Sequence, residues 1–300
     1  MRQPSRRLVP ILCLRHGVST RPQRVDWDVP SPSRTIGAPR HAEKAHKELG
    51  SQPAAPALTV AMPAYKELGS QPAAPALTVA MPAYNEAIQI RESVAAVCKA
   101  LDATGATWEL VVVDDGSSDG TGQLALTDRA GDKRVRVVRH SANMGVGRAI
   151  ATGLASARGA WFMIIPADLA MDLRDVGRYL AMRGDAAVVA GYTASRPDYS
   201  AWRDAVSWVN RTAVAVLLGV RVRNPNYIHL FRVDALHGAP FRFTDSAALY
   251  AEMLRRASTR GRIVEVPIRY VPRVAGVQTG AKWSLIAKTA RDLLRLRLGI

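Results

Sequence analysis

Three short polar clusters hold the residue types from which a ligand site could be built: Pro82-Ala83-Tyr84-Asn85-Glu86, then Asp114-Asp115-Gly116-Ser117-Ser118-Asp119-Gly120-Thr121, then Pro166-Ala167-Asp168. Each follows an apolar run. Asp114 and Asp115 come directly after Val111-Val112-Val113, so their carboxylates emerge where a buried strand would end and can accept hydrogen bonds from a nucleotide base or ribose. Ser117, Ser118 and Asp119 are good N-cap residues and Gly116 permits a tight turn, which makes capping the competing reading, above all at Asp119. Asn143-Met144-Gly145-Val146-Gly147 opens a further helical pattern. Glycines there let backbone approach a phosphate or a neighbouring element, and packing at the helix start is the preferred reading.

Such clusters need elements to hold them, and the pattern from Leu77 onward supplies these. Leu77–Met81, Trp108–Val113, Val135–Val138, Trp161–Ile165 and Ala187–Ala190 read as short buried strands. Between them, Ile88–Leu101, Gly120–Ala130, Val146–Ala157 and Leu173–Met182 read as helices. The alternation predicts an α/β fold with a mostly parallel central sheet covered on both faces. Ligands of such sheets bind beyond the carboxyl ends of the strands, and the three polar clusters are expected on that one edge. Other titratable residues have structural readings. Asp172 is expected to cap the helix at Leu173, and His229, within Asn226–Arg232, to be a satisfied core imidazole rather than a base. Glu252, in a helix spanning Ser246 to Arg260, is equally open to a structural and a catalytic role.

Four stretches, VAMPAYNE ending at Glu86, VVVDDGSSDGT ending at Thr121, NMGVGRAIATGL from Asn143 and EVPIRYVPRVAG from Glu265, together resemble the family 2 glycosyltransferases. The resemblance is to the branch that includes dolichyl-phosphate mannose synthase and bacterial polyprenyl-phosphate sugar transferases. It implies the GT-A (Rossmann-like) nucleotide-sugar-binding fold, a nucleoside-diphosphate sugar donor, Mg²⁺ or Mn²⁺, and inversion at the anomeric carbon. Carried over by residue, it makes Pro82, Tyr84 and Glu86 part of the nucleotide pocket, with Asp114 and Asp115 at the base or ribose. Asp168 becomes the second carboxylate of the metal motif, and Arg273, with Arg196 as a looser match, faces the donor phosphates. The sequence departs from the family pattern at three points. Pro166 stands where the first metal-motif Asp belongs, Thr279 replaces a Lys that Lys282 could supply, and Asn226–Arg232 replaces the usual acceptor-side stretch.

The implied acceptor is a membrane polyprenyl phosphate, because a phosphate is already an anion at neutral pH whereas a saccharide or small-molecule hydroxyl normally needs a base. A nucleotide-binding protein that has lost transferase activity is a further reading, motivated by Pro166. A formal charge of +16 favours an anionic partner, but the basic residues are dispersed without a nucleic-acid-binding module. Two cysteines, Cys13 and Cys98, build no disulfide framework. The apolar stretch Thr212–Val220 falls well short of the roughly 20 residues a membrane span needs. A cytoplasmic chain, peripheral on the inner face of the membrane or recruited by a membrane protein, is therefore expected.

Lys47–Tyr65 is repeated letter for letter as Lys66–Tyr84, and only the second copy continues into Asn85-Glu86. The expected organisation is a disordered basic extension at 1–57, duplicated segment and linker at 58–75, the GT-A domain at 76–282, and an amphipathic C-terminal helix at 283–300. In that last segment Leu285, Ile286, Leu293, Leu294, Leu296 and Leu298 accompany Lys288, Arg291, Arg295 and Arg297. It could lie on an anionic bilayer or pack on the domain.

Overall fold

A computed structural model describes residues 74–193, 200–269, 271 and 283–299, all within the unit Lys66–Ile300. The expected 1–57 extension and the 58–73 stretch lie outside the described residues, as do Arg196, Arg273, Thr279 and Lys282.

In chain order the elements are β1 (Leu77–Ala83), α1 (Ile90–Asp102), β2 (Trp108–Asp114), α2 (Thr121–Leu124), β3 (Val135–Arg139), α3 (Val146–Ala155), β4 (Trp161–Ile164) and α4 (Val176–Ala181). There follow β5 (Val188–Thr193), α5 (Ala201–Leu218), β6 (His229–Arg232), α6 (Val233–Leu236), α7 (Ala248–Ser258), β7 (Ile263–Ile268) and α8 (Trp283–Leu298). The strands form one seven-stranded sheet in the order β3-β2-β1-β4-β6-β5-β7. Only β6 runs antiparallel to its neighbours, between β4 and β5.

Every residue of β1 and β2 is buried. That explains why they read as mainly apolar runs, since parallel strands covered on both faces have no wet side to mark with alternating polar residues. The exceptions inside the strands, Thr78 and Glu109, bond each other, the Thr78 hydroxyl donating to Glu109 Oε1 at 2.7 Å. Alternate residues serve opposite layers. Leu77, Val79 and Met81 join Val94, Val97 and Leu101 of α1 on one face. On the other, Ala80, Phe162 and Ile164 join Leu249, Met253 and Leu254 of α7. Each large side chain so buried stabilises by about 1.5–3 kcal/mol.

Two helices differ from the sequence pattern. The segment expected to be helical from Gly120 to Ala130 is one short helix, α2, and then a 3₁₀ turn at Thr127–Arg129. None of the turn's residues is buried, so no core contact extends the helix. The segment from Leu173 starts as a 3₁₀ turn, and Asp172 caps it by accepting from the Arg174 N–H. At the C-terminus α8 packs against α5 and α7, burying Thr289, Asp292 and Leu293 while Leu294 and Leu298 stay exposed. No helix among the described residues is long and apolar enough to cross a membrane.

Candidate active site

β1, β2 and β4 run parallel, so the loops that follow them meet at one edge of the sheet. A cavity of about 310 Å³ opens there, between those loops and the start of α3. Its walls include Pro82, Tyr84, Glu86, Asp115 and Asp168, together with Asn143, Gly145 and Pro166. Five site residues expected from sequence are therefore gathered in one cleft from three strand ends. Asp114 is not among the lining residues. Its carboxylate accepts from the Ser117 N–H at 2.9 Å and lies 3.4 Å from Arg139 Nε, so it holds the turn after β2.

Asp115 is 3% exposed and organises the opposite wall. One carboxylate oxygen accepts from the Met144 N–H at 2.9 Å and from His140 Nδ1 at 2.6 Å, and the other accepts from the Gly145 N–H at 2.7 Å. An ionised carboxylate only accepts, so His140 Nδ1 donates to it, and the ring's Nε2 is hydrogen-bonded to the Thr152 hydroxyl at 2.9 Å. His140 has no motif around it. Its position one residue past the end of β3, on the site's own edge, was the signal available in the sequence.

The Asp115 bonds fix Gly145, the cap residue ahead of α3. Its φ of +91° suits glycine, and its N–H donates to the Asp115 carboxylate and, at 3.1 Å, to Asn143 Oδ1. Gly147 has the packing role expected of it, since a Cβ there would lie 2.0 Å from the Thr244 carbonyl oxygen. The Asn143–Gly147 cluster thus divides between cleft wall and helix packing.

The serine, aspartate and threonine of the second cluster strap two loops together. Ser117 Oγ accepts from the Asn85 N–H, Thr121 Oγ1 from the Glu86 N–H, and Asp119 Oδ2 from the Ala87 N–H. The Ser118 N–H donates in return to Asn85 Oδ1. Asn85 has a φ of +54°, a conformation that Asn tolerates better than most residues. The helix N-cap itself is Gly120, with no side-chain cap. Asp119, expected to cap α2, instead binds the Thr121 N–H and hydroxyl. Its bonds with Thr121 are the main cause holding its carboxyl below the usual range.

Asp168 is half-buried and accepts from the Ala170 N–H at 3.2 Å. Beside it Leu169 sits at a φ of +48°, strain for a branched side chain, and packs against the hydrophobic core. The donor chemistry fits a hard cation: Asp168 offers carboxylate oxygens, Pro166 offers no side-chain ligand, and Mg²⁺ often uses one or two carboxylates plus substrate phosphates. Among the described residues no group of three or more His, Cys, Asp or Glu forms a closed metal cage.

The two other candidate bases are committed elsewhere. His229 is fully buried; Nε2 donates to the Pro225 carbonyl at 3.1 Å, and desolvation lowers its pKa to about 4. Glu252 accepts from the Arg242 and Phe243 N–H groups and contacts Arg256, fixing the loop ahead of α7.

The family model for glycosyl transferase family 2 matches residues 78–237. Among curated relatives, an undecaprenyl-phosphate mannosyltransferase of Micrococcus luteus is 27% identical over 215 residues, 64% of this chain and 88% of the relative. A dolichyl-phosphate β-glucosyltransferase of Trichomonas vaginalis is 32% identical over 120 residues, but that match spans 38% of this chain and 35% of the relative. The corresponding mouse enzyme is 40% identical over 72 residues, 23% of this chain and 22% of its own length. Several relatives are thus matched over about a third of their length or less. Among solved structures, glucosyl-3-phosphoglycerate synthase of Mycobacterium tuberculosis with Mn²⁺, UDP and glucosyl-3-phosphoglycerate superposes with a TM-score of 0.57 at 20% identity, covering 75% of this chain and 81% of that one. The same enzyme with Mg²⁺ and UDP gives 0.58 at 19% identity, covering 75% and 80%. The shared architecture is the GT-A fold.

Proposed function

Because the chain belongs to glycosyl transferase family 2, we propose that it moves a hexose from a nucleoside-diphosphate sugar to a membrane polyprenyl phosphate, with inversion at the anomeric carbon. The observation that carries the proposal is the single cleft shared by Pro82, Tyr84, Glu86, Asp115 and Asp168. Asp115 and the β1 loop would hold the nucleotide, and Asp168 would face its diphosphate.

In this reaction an oxygen of the acceptor phosphate attacks the anomeric carbon, and the bond to the donor's diphosphate oxygen breaks with its electron pair. A divalent cation, held by Asp168 and the diphosphate, would offset the charge developing on the leaving group. Arg273 and Arg196 are proposed to do the same from outside the described residues. The acceptor choice rests on the base: neutral, buried His229 and hydrogen-bonded Glu252 are both committed to structure, which suits a nucleophile that is already ionised. The related Micrococcus and Trichomonas proteins are named for undecaprenyl and dolichyl phosphates, which supports the same class. The chain would work as a peripheral protein at the inner face of the membrane, where it meets a lipid-linked acceptor.

A panel of nucleoside-diphosphate sugars, each offered with polyprenyl phosphate in vesicles or with water-soluble hydroxyl acceptors, tests the proposal. Transfer to the lipid phosphate, dependent on Mg²⁺ or Mn²⁺, is expected. Transfer only to a water-soluble hydroxyl would replace the acceptor assignment, and nucleotide binding without transfer to any acceptor would replace the enzyme assignment.

A further inference from the structure

Helix α5 buries one face and exposes another that is just as apolar. Val214 and Leu218 face the domain, whereas Trp202, Ala205, Trp208, Val209, Thr212 and Val216 are all exposed. At 3.6 residues per turn those six fall on one arc of the helix, and none of them is charged. Trp208 is 59%, Val209 54% and Val216 74% exposed, an extended apolar surface of the kind that marks an interaction site. The neighbouring α8 repeats the pattern: Leu294 and Leu298 are exposed among the exposed Arg291, Arg295 and Arg297.

The surroundings of α5 say what this face meets. A second cavity, of about 370 Å³, lies against the helix and is lined by Arg211, Thr212, Ala215, Arg221, Val222, Arg223 and Glu265. Three guanidinium groups share it with one carboxylate. Glu265 is engaged by Arg223, through its backbone N–H at 2.7 Å and its Nε at 3.6 Å. Among the described residues no carboxylate pairs with Arg211 or Arg221. The cavity is therefore a net positive seat beginning where the uncharged arc ends, since Thr212 belongs to both. Arg223 stacks on Tyr192, next to the last residue of β5. Because β5 runs parallel to β4 and β1 through the antiparallel β6, that strand end points to the same edge as the cleft.

We infer that the outer face of α5 is the surface by which this chain lies on an anionic lipid bilayer, with Trp208, Val209 and Val216 entering the headgroup boundary and Arg211, Arg221 and Arg223 taking a headgroup phosphate. An uncharged helical face rich in Trp and Val, flanked by arginines, is matched to that boundary: apolar side chains leave water while guanidinium groups stay among phosphates. The chain's +16 charge draws it to the same surface. The inference builds on the reading that the acceptor is a membrane lipid, since docking here would turn the cleft edge toward that lipid.

The test is flotation with phosphatidylcholine vesicles, with and without phosphatidylglycerol, using the full chain. The parent should float with the anionic vesicles and much less with the neutral ones. Losing a basic contact corresponds to about fivefold weaker binding, and Arg→Glu also adds a repelled carboxylate, so Arg211→Glu with Arg221→Glu should weaken binding by at least roughly 25-fold. Trp208→Ser with Val216→Ser should weaken it at least as much. Lys133→Glu with Arg158→Glu makes the same change in net charge away from α5 and should change binding little. All four altered positions, Trp208, Arg211 and Val216 on α5 and Arg221 after it, border solvent, and calorimetric binding of UDP or GDP with Mn²⁺ checks that the cleft still forms. Equal flotation of the parent and both α5 variants overturns the inference, and so does equal loss in the Lys133/Arg158 control. Self-association that depends on Trp208 and Val216 while vesicles are ignored also overturns it, and assigns the face to a second copy. Failure of the parent to bind any nucleotide would instead sink the proposed function, without touching the vesicle result.

Discussion

Replacing Asp115 by Ala separates two roles that the sequence presents as alternatives. The carboxylate receives the Met144 and Gly145 N–H groups and the His140 ring N–H, so truncation removes three bonds to a charged acceptor. Hydrogen bonds to charged groups contribute roughly 1.5–3 kcal/mol each. The site opens to the cleft, where water can re-satisfy the loop donors, so the net loss should be about 2–3 kcal/mol rather than the sum. For a domain of this size each kcal/mol moves Tm by roughly 2–4 °C, which gives a fall of about 4–12 °C. Nucleotide affinity should fall as well. A carboxylate has about four lone-pair positions, three of them taken here, which leaves one for a base or ribose donor. Losing one such bond corresponds to roughly 10- to 150-fold weaker binding. Scanning calorimetry and titration with UDP or GDP measure the two effects on one preparation. A Tm within about 1 °C of the parent would refute the anchoring argument. An unchanged nucleotide affinity in a folded variant would refute the ligand role.

Gly147→Ala should destabilise by about 1–3 kcal/mol through overpacking against the Thr244 carbonyl; a melting temperature equal to the parent's would contradict that contact. His229 is held neutral in the fold, with its pKa depressed to about 4 by burial, while the unfolded chain takes up a proton near pH 6.5. Stability should therefore fall as pH drops from about 6.5 toward 4, by up to about 3 kcal/mol from this residue, and His229→Gln should flatten that part of the profile in urea titrations. Deleting residues 1–65 should leave a cooperative melt and nucleotide binding intact, because β1 comes from the second repeat copy; loss of either would give the first copy a part in the fold. Pro166→Asp should tighten Mn²⁺ binding measured with bound nucleotide, and an unchanged affinity would remove Asp168 from the metal assignment.

The sheet was legible because parallel strands buried on both faces announce themselves as mainly apolar runs without regular alternation, and Val111-Val112-Val113 before two aspartates marks a strand end without further context. The division of labour within the Asp114–Thr121 cluster was not. Ser117, Asp119 and Thr121 are types that cap helices, and sequence spacing does not reveal that their partners are the N–H groups of residues 85 to 87, more than 30 positions away. Asp114 and Asp115 are adjacent and chemically identical, yet only Asp115 faces the cleft. Successive residues at the end of a strand point to opposite sides, and the register that decides which side is open is set by neighbouring strands.

Helix α5 shows the same limit in another form. Read linearly, Thr212–Val220 is an apolar stretch too short to span a bilayer, and that test concerns only length. Which apolar residues of a helix go inward is decided by the helices that cover it, and here apolar side chains occupy both arcs, Val214 and Leu218 inside and Trp208, Val209 and Val216 outside. Periodicity then gives no preference between Val214 and Val216, two positions apart and on different arcs. With α8 packed on α5, Val214 is 1% exposed and Val216 is 74% exposed. The apolar surface left outside is thus a product of tertiary packing, and so is its meeting with Arg221 and Arg223, which follow the helix in the chain and fold back beside Arg211. A face assembled in this way has no motif to carry it, so a search for spanning segments passes over it.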